Sequence, residues 1–173
     1  AAGHALLLVR PKAVTVLELH RAVGLEEAGR LDEARALYRS VLDVRPDSAV
    51  AWTDLGNAEV KGGRPAEAEK AYREALRIAP GSDDALNNLA YLLLQQGRGL
   101  EEAEALAVRA AAVPGPERYE ALDTLGRVQL ARGRCREAAL TFREALAVGE
   151  LTEEARQELE SGLGEAQRAC SRR

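Results

Sequence analysis

Methionine is absent from this 173-residue chain, cysteine and histidine occur twice each, and only six residues are aromatic. Each scarcity excludes something. Without a methionine the sequence reads as a processed or excised piece of a longer product. Cys135 and Cys170 make no disulfide framework and show no metal-ligand spacing, so they are expected to be two incidental thiols, and no metal or cofactor is expected. With only Trp52, Phe142 and four tyrosines, the interior must be built from alanine and leucine. Alanine allows close helix contacts and has the highest helix propensity, which favours an all-α protein. Long apolar runs are missing too: Ala5 to Val9 is too short to span a bilayer and follows no basic region, so it is not a signal peptide as it stands. The net charge of −4 is mild and the signs are interspersed. No basic block could neutralise a run of phosphates, so nucleic acid is not an expected partner. Arginine outnumbers lysine 21 to 3, which with the alanine excess fits a GC-rich bacterial genome. The compartment is open: the chain reads as soluble, with cytoplasm slightly favoured over periplasm.

What is present in abundance is a period. Gly-Arg recurs at 29–30, 63–64, 97–98 and 133–134, in steps of 34, 34 and 36 residues. After each step an acidic residue precedes an alanine that opens an apolar stripe. In the second unit the stripe is Ala68, Ala71, Tyr72, Ala75, spaced i, i+3, i+4, i+7 on one helix face. The first unit has Ala34, Leu37, Tyr38, Val41 and the third Ala103, Leu106, Ala107, Ala110; in the fourth Thr141 interrupts Ala138, Phe142, Ala145. A second helical pattern precedes each Gly-Arg, as in Trp52, Leu55, Gly56, Glu59. The small residue in it (Gly56, Ala90 or Gly126) costs helix propensity, which implies that a large side chain of the neighbouring helix approaches the backbone there. Prolines 46, 80 and 114 end the second helix of each unit.

These residues carry a resemblance. Trp52, Leu55, Gly56, Gly63, Ala68, Tyr72, Ala75 and Pro80 match the signature of the tetratricopeptide repeat (TPR) at full length, and the likeness runs over about residues 15 to 150. It implies an all-α, right-handed superhelical solenoid of antiparallel helix hairpins with a C-terminal capping helix. The expected divisions are an extension or tail of a preceding domain at 1–14, repeats at 15–48, 49–82, 83–118 (with an insertion) and 119–150, and a capping helix and tail at 151–173. The departures are an extra residue near Gly99, the link Pro114-Gly115-Pro116, Glu150 where a stop proline belongs, and Glu18 and Arg21 where large apolar residues are expected. Leu151, Ala155, Leu159, Leu163 and Ala166 give the last segment one apolar stripe after the N-cap candidate Thr152; the alternative to a cap is the first helix of a truncated fifth repeat.

Catalytic constellations are hard to find. His4 and His20 have no partner at a motif spacing, and Lys61-Gly62-Gly63-Arg64 lacks the phosphate-loop pattern and sits at a hairpin turn. Paired carboxylates such as Glu101-Glu102 complement a helix dipole. No enzyme activity and no small-molecule substrate are expected. The resemblance instead implies a concave groove lined by the first helix of each hairpin. Carried over by position, the groove residues are Thr53, Asn57, Lys61, Asn87, Asn88, Tyr91, Gln95, Asp123 and Arg127, joined in the fourth unit by Glu120. They would bind a protein or peptide partner through amides, one aromatic platform and alternating charges. Family members that grip a chaperone's C-terminal carboxylate use two asparagines and three basic residues. Asn57 and Asn88 match the former, but Thr53, Glu120 and Thr124 replace the latter, so that ligand is not expected.

The N-terminal edge reads differently. Val16, Leu19 and Val23 fall on one side of the first helix and Val14, Leu17, Ala22 and Leu25 on another, so the helix calls for cover on both. Ala5 to Val9 could supply it, and self-association through the N-terminal hairpin is a second expectation. Residues 3–11 are also weakly similar to the end of a double-glycine-type cysteine peptidase domain, which would make the chain the non-catalytic part of a larger bacterial enzyme.

Overall fold

The computed structural model describes residues 11–172, with side chains from residue 15 onward. The Ala5–Val9 run, His4, the Val14 side chain and residues 3–10 of the peptidase-like segment lie outside the described residues. Among the described residues the regular elements are nine α-helices: α1 Pro11–Glu27, α2 Leu31–Val44, α3 Ala49–Lys61, α4 Pro65–Ile78, α5 Asp83–Gln95, α6 Leu100–Ala111, α7 Arg118–Ala131, α8 Cys135–Leu146 and α9 Glu153–Ser171. They form two compact units dividing after Ile78, with α1 to α4 in the first and α5 to α9 in the second.

One turn is made four times. Gly29, Gly63, Gly97 and Gly133 have φ of 73, 69, 62 and 75°, a left-handed conformation that costs glycine little. The arginine after each glycine donates its N–H back across the turn, Arg30 to Leu25 at 2.8 Å, Arg64 to Glu59 at 2.8 Å, Arg98 to Leu93 at 3.3 Å and Arg134 to Gln129 at 2.8 Å. That closure satisfies carbonyls at the end of the first helix and reverses the chain into the second. Serine or threonine starts three of the helices, α3, α5 and α9: Ser48, Ser82 and Thr152 accept from the N–H of Ala51, Ala85 and Ala155. Helix α7, after the Pro114-Gly115-Pro116 link, has no side-chain cap. Proline stops follow α2, α4 and α6, and where Glu150 replaces the proline the left-handed Gly149 (φ 49°) follows α8 instead.

In the first unit α1 pairs with α2 and α3 with α4, and α2 packs on α3. Ala22, Ala34, Tyr38, Val41, Ala51, Leu55, Ala58 and Ala71 form the core, with Leu19, Leu25 and Trp52 against it. This corrects the two-faced reading of α1. Leu19 joins Ala22 and Leu25 on the core side, whereas Leu17 is 70% exposed beside exposed Val16 and Val23. Leu17 precedes Ala22 by five residues, well off the i, i+3, i+4 row that one helix face can bury.

The small residues of the first helices receive large ones from the second. A β-carbon on Gly56 would lie 2.4 Å from the Tyr72 ring, and one on Gly126 would lie 2.8 Å from Phe142. Phe142 also fills the space over Gly162 of α9, where a β-carbon would meet its ring at 2.6 Å. In the third repeat Ala90 meets the same need with Ala107 in the aromatic's register. Helix α9 therefore packs as a first helix does, against α7 and α8, and buries Leu159 and Ala166 at the edge of the last hairpin. Thr141, which interrupts the α8 stripe, is buried and donates its hydroxyl to Gln129 Oε1 at 2.8 Å.

The two cysteines are not incidental thiols. Cys135 opens α8, Cys170 lies in the last turn of α9, and the two form a disulfide with Cα atoms 5.5 Å apart. The 35-residue separation belongs to no local motif; only the return of α9 along α8 brings the thiols together.

Candidate functional site

In the first unit, most of the groove positions are engaged within the fold. Thr53 is buried and donates to the Ala49 carbonyl at 3.0 Å. Asn57 Oδ1 accepts the Tyr72 hydroxyl at 2.8 Å. Lys61 Nζ lies 2.5 Å from Glu26 Oε1, and Glu26 Oε2 accepts from Tyr38 at 3.1 Å. Burial first, then the Glu26 carboxylate, pushes both tyrosine hydroxyls well above the usual phenol range. Behind them sits an interior charge network. Glu59, 1% exposed, is 2.7 Å from Arg39 and 3.7 Å from Arg35, itself 5% exposed, and Arg64 lies 3.9 Å away. Gly62 makes room for that arginine, because a β-carbon there would lie 2.2 Å from the Arg35 guanidinium. A cavity of about 470 Å³ bounded by Arg39, Leu42, Trp52, Glu59, Lys70 and Glu74 lies over this network.

The second unit is arranged otherwise. Asn87, Asn88 and Tyr91 of α5 and Asp123 and Arg127 of α7 line one pocket of about 350 Å³. Gln95, one turn beyond Tyr91, is exposed on α5 outside that lining. Arg127 Nε donates to Asp123 Oδ2 at 2.6 Å, which orients both across the pocket. Tyr91 is 44% exposed. Two acceptors, Asn87 Oδ1 and Asp123 Oδ1, are shut off from solvent and have no hydrogen-bond donor. Burial, opposed by the Arg127 hydrogen bond, raises the Asp123 carboxyl above its ordinary range. Burial likewise raises Glu120, opposed by the hydrogen bond from Tyr119 and helped by Glu117 and Asp84, and it raises Asp84, helped by Asp83 and Glu117. A second cavity of about 260 Å³ adjoins through Asn87 and Glu120 and is bordered by Asp83, Asp84 and Glu117.

Position-by-position reading missed Tyr119, Ala155, Glu158 and Leu159, which also line the larger pocket. Three of these come from α9. The signal that could have found them was the N-cap threonine at 152, which starts α9 as Ser48 and Ser82 start α3 and α5. Among the described residues, no group of three or more histidine, cysteine, aspartate or glutamate side chains is placed to hold a metal ion, and no helix is long and apolar enough to cross a membrane.

The family model for the middle TPR-like domain of Cilia and flagella-associated protein 70 matches residues 19–125. Among solved structures, the chain is similar to Pseudomonas aeruginosa pilF, with 23% identity over 93% of this chain and 75% of that one and a TM-score of 0.80. It is also similar to PilW, a widely conserved type IV pilus biogenesis factor (22% identity, 91% and 75% covered, TM-score 0.76). A third likeness is to the APC/C hetero-tetramer Cut9–Hcn1, at 21% identity over 90% of this chain and 30% of that one, TM-score 0.77. At these identities the likeness shows the fold, an all-α TPR-like solenoid of helix hairpins. No curated protein sequence matches the chain.

Proposed function

We propose that this chain, which belongs to the TPR-like family matched over residues 19–125, is a non-catalytic scaffold that holds a segment of a partner protein in the pocket of its second unit. The observation that carries the reading is the convergence of Asn87, Asn88, Tyr91, Asp123 and Arg127 from two first helices into one open, polar cavity. Amides and an aromatic face suit a peptide, whose backbone offers donors and acceptors along its length. PilW is described as a biogenesis factor and Cut9 as part of a hetero-tetramer, which supports the same kind of role here. A variant with Asn88→Ala, Tyr91→Ala and Arg127→Ala should lose the partner captured by the wild type from the native host while keeping its helical circular dichroism. Undiminished capture by that variant rejects the pocket.

Two further readings have their own support. Val16, Leu17 and Val23 stand exposed on α1, which favours self-association through the N-terminal hairpin; sedimentation of a monomer at high concentration would remove it. The Cys135–Cys170 bond supports an oxidising compartment, since disulfides are rare where thiols are kept reduced. Trapping free thiols in freshly lysed host cells tests this: alkylation of both cysteines in the native protein would reject it.

A further inference from the structure

The chemistry of the pocket narrows what can enter it. Asn87 and Asp123 each carry an acceptor oxygen to which no group of the fold donates, so this lining is short of hydrogen-bond donors and an entering group that donates suits it. A carboxylate or a phosphate cannot do this. Charge gives the same direction independently: Glu120, Asp123 and Glu158 face the pocket against the single guanidinium of Arg127, which Asp123 already engages. The adjoining cavity adds Asp83, Asp84 and Glu117 against Arg118, which the Ala111 carbonyl and Glu144 already engage. Two tyrosines, Tyr91 and Tyr119, supply ring surface of the kind that attracts a cation. Among cationic side chains, arginine fits best. Its planar guanidinium offers five donors, is more weakly hydrated than an ammonium, and stacks on aromatic faces, whereas lysine presents a compact, strongly hydrated charge.

We propose that the pocket receives an arginine side chain of the partner segment, whose guanidinium lies against Tyr91 and Tyr119 and among the carboxylates of Glu120, Asp123 and Glu158. This rests on the scaffold reading above and names its ligand class. Because the adjoining cavity shares Asn87 and Glu120, a segment with a second basic residue along its length engages both.

The test titrates the full chain with an acetylated, amidated peptide of four Ala-Arg pairs, followed by NMR at the Asn87 and Asn88 side-chain amides and the Tyr91 and Tyr119 rings. Matched peptides carry citrulline, lysine or glutamate in place of arginine, and free arginine is a further arm. The arginine peptide should bind about tenfold more tightly than the citrulline peptide, which keeps the shape and loses the charge. Lysine should fall between them, and glutamate should leave the signals unmoved. Asp123→Asn should weaken the arginine peptide about tenfold. Tyr91→Ser, at an exposed position where folding is not at stake, should weaken it about threefold. Equal binding of citrulline and arginine, shifts that map away from the pocket, or binding of the glutamate peptide there would each overturn the proposal. Free arginine binding as tightly as the peptide would overturn the assignment to a partner segment. If the arginine peptide fails but the triple variant still loses the native partner, the ligand class is wrong and the scaffold reading stands. If the triple variant keeps its partner, the scaffold reading falls.

Discussion

The two units are built from the same repeat, yet they handle polar groups in opposite ways. In the first, Tyr38 and Tyr72 reach back from the second helices and their hydroxyls engage Glu26 and Asn57, groups of the first helices. In the second, the same register holds Ala107 and Phe142, which have no hydroxyl. Tyr91 and Arg127, which stand where Asn57 stands, line an open pocket instead. One oxygen atom per repeat thus decides whether this position of the first helix is bonded to the second helix of its own hairpin. The interior position occupied by Glu59 tells the same story: Leu93 and Gln129 hold it in the second unit, so a charge network, an apolar contact and a hydrogen bond to Thr141 serve one structural role.

The comparison can be broken at its most charged point. Glu59→Leu copies Leu93 into the first unit but removes the buried carboxylate that Arg35, Arg39 and Arg64 share, leaving buried Arg35 with Asp32 and the Ala58 carbonyl, and should cost about 3–5 kcal/mol in urea unfolding followed by Trp52 fluorescence. A loss under about 1 kcal/mol would mean that Asp32 and the Ala58 carbonyl, which Arg35 already engages, suffice to hold its charge. Next in size is the disulfide, which only the second unit has. Cys170→Ser, or reductant on the wild type, should lower the stability of the second unit by about 2–4 kcal/mol and leave the first unchanged, read from amide exchange in α8 and α9 against α2 and α3. Equal loss in both units would mean that they unfold as one.

Tyr72→Phe makes the first unit resemble the second by removing one hydroxyl. The expected loss is about 1 kcal/mol, and a double-mutant cycle with Asn57→Ala should recover most of it as coupling energy; additive losses would break the pairing. The smallest effect is on pH dependence. Asp84, Glu120 and Asp123 have carboxyl groups raised by burial, so their ionised forms destabilise the second unit at pH above their folded values. As pH falls from there toward the ordinary carboxylate range near 4, the folded state takes up more protons than the unfolded one and stability rises. The exposed Glu33 of the first unit is lowered by its hydrogen bond from Arg30, so its contribution runs the other way and is lost as pH falls through its folded value. Urea unfolding at mildly acid pH, monitored by α7 resonances, should therefore show a small gain over neutral pH; a loss there would reverse the sign assigned to the pocket carboxylates.

Much of this was legible in the residues. The four Gly-Arg turns, the i, i+3, i+4 stripes and the proline stops are local signals, and local signals survive into the structure because backbone geometry and turn closure involve residues within half a dozen places of each other. The small residues at 56 and 126 even disclosed their tertiary purpose, since a glycine inside a helix needs a neighbour to justify it. Six residues that line the pocket, Asn87, Asn88, Tyr91, Glu120, Asp123 and Arg127, are among those that the resemblance to the repeat family assigns to the groove. What register could not disclose is whether a polar atom at a groove position already has a partner. That depends on a side chain twelve to sixteen residues away across a hairpin, as with Tyr72 and Asn57. Nor could it pair Cys135 with Cys170, carry Glu158 and Leu159 into the pocket, or turn Leu17 outward. Periodicity names which face a residue takes, because that is a property of one helix. Only the packing of one helix on another decides which atoms on that face remain unpaired.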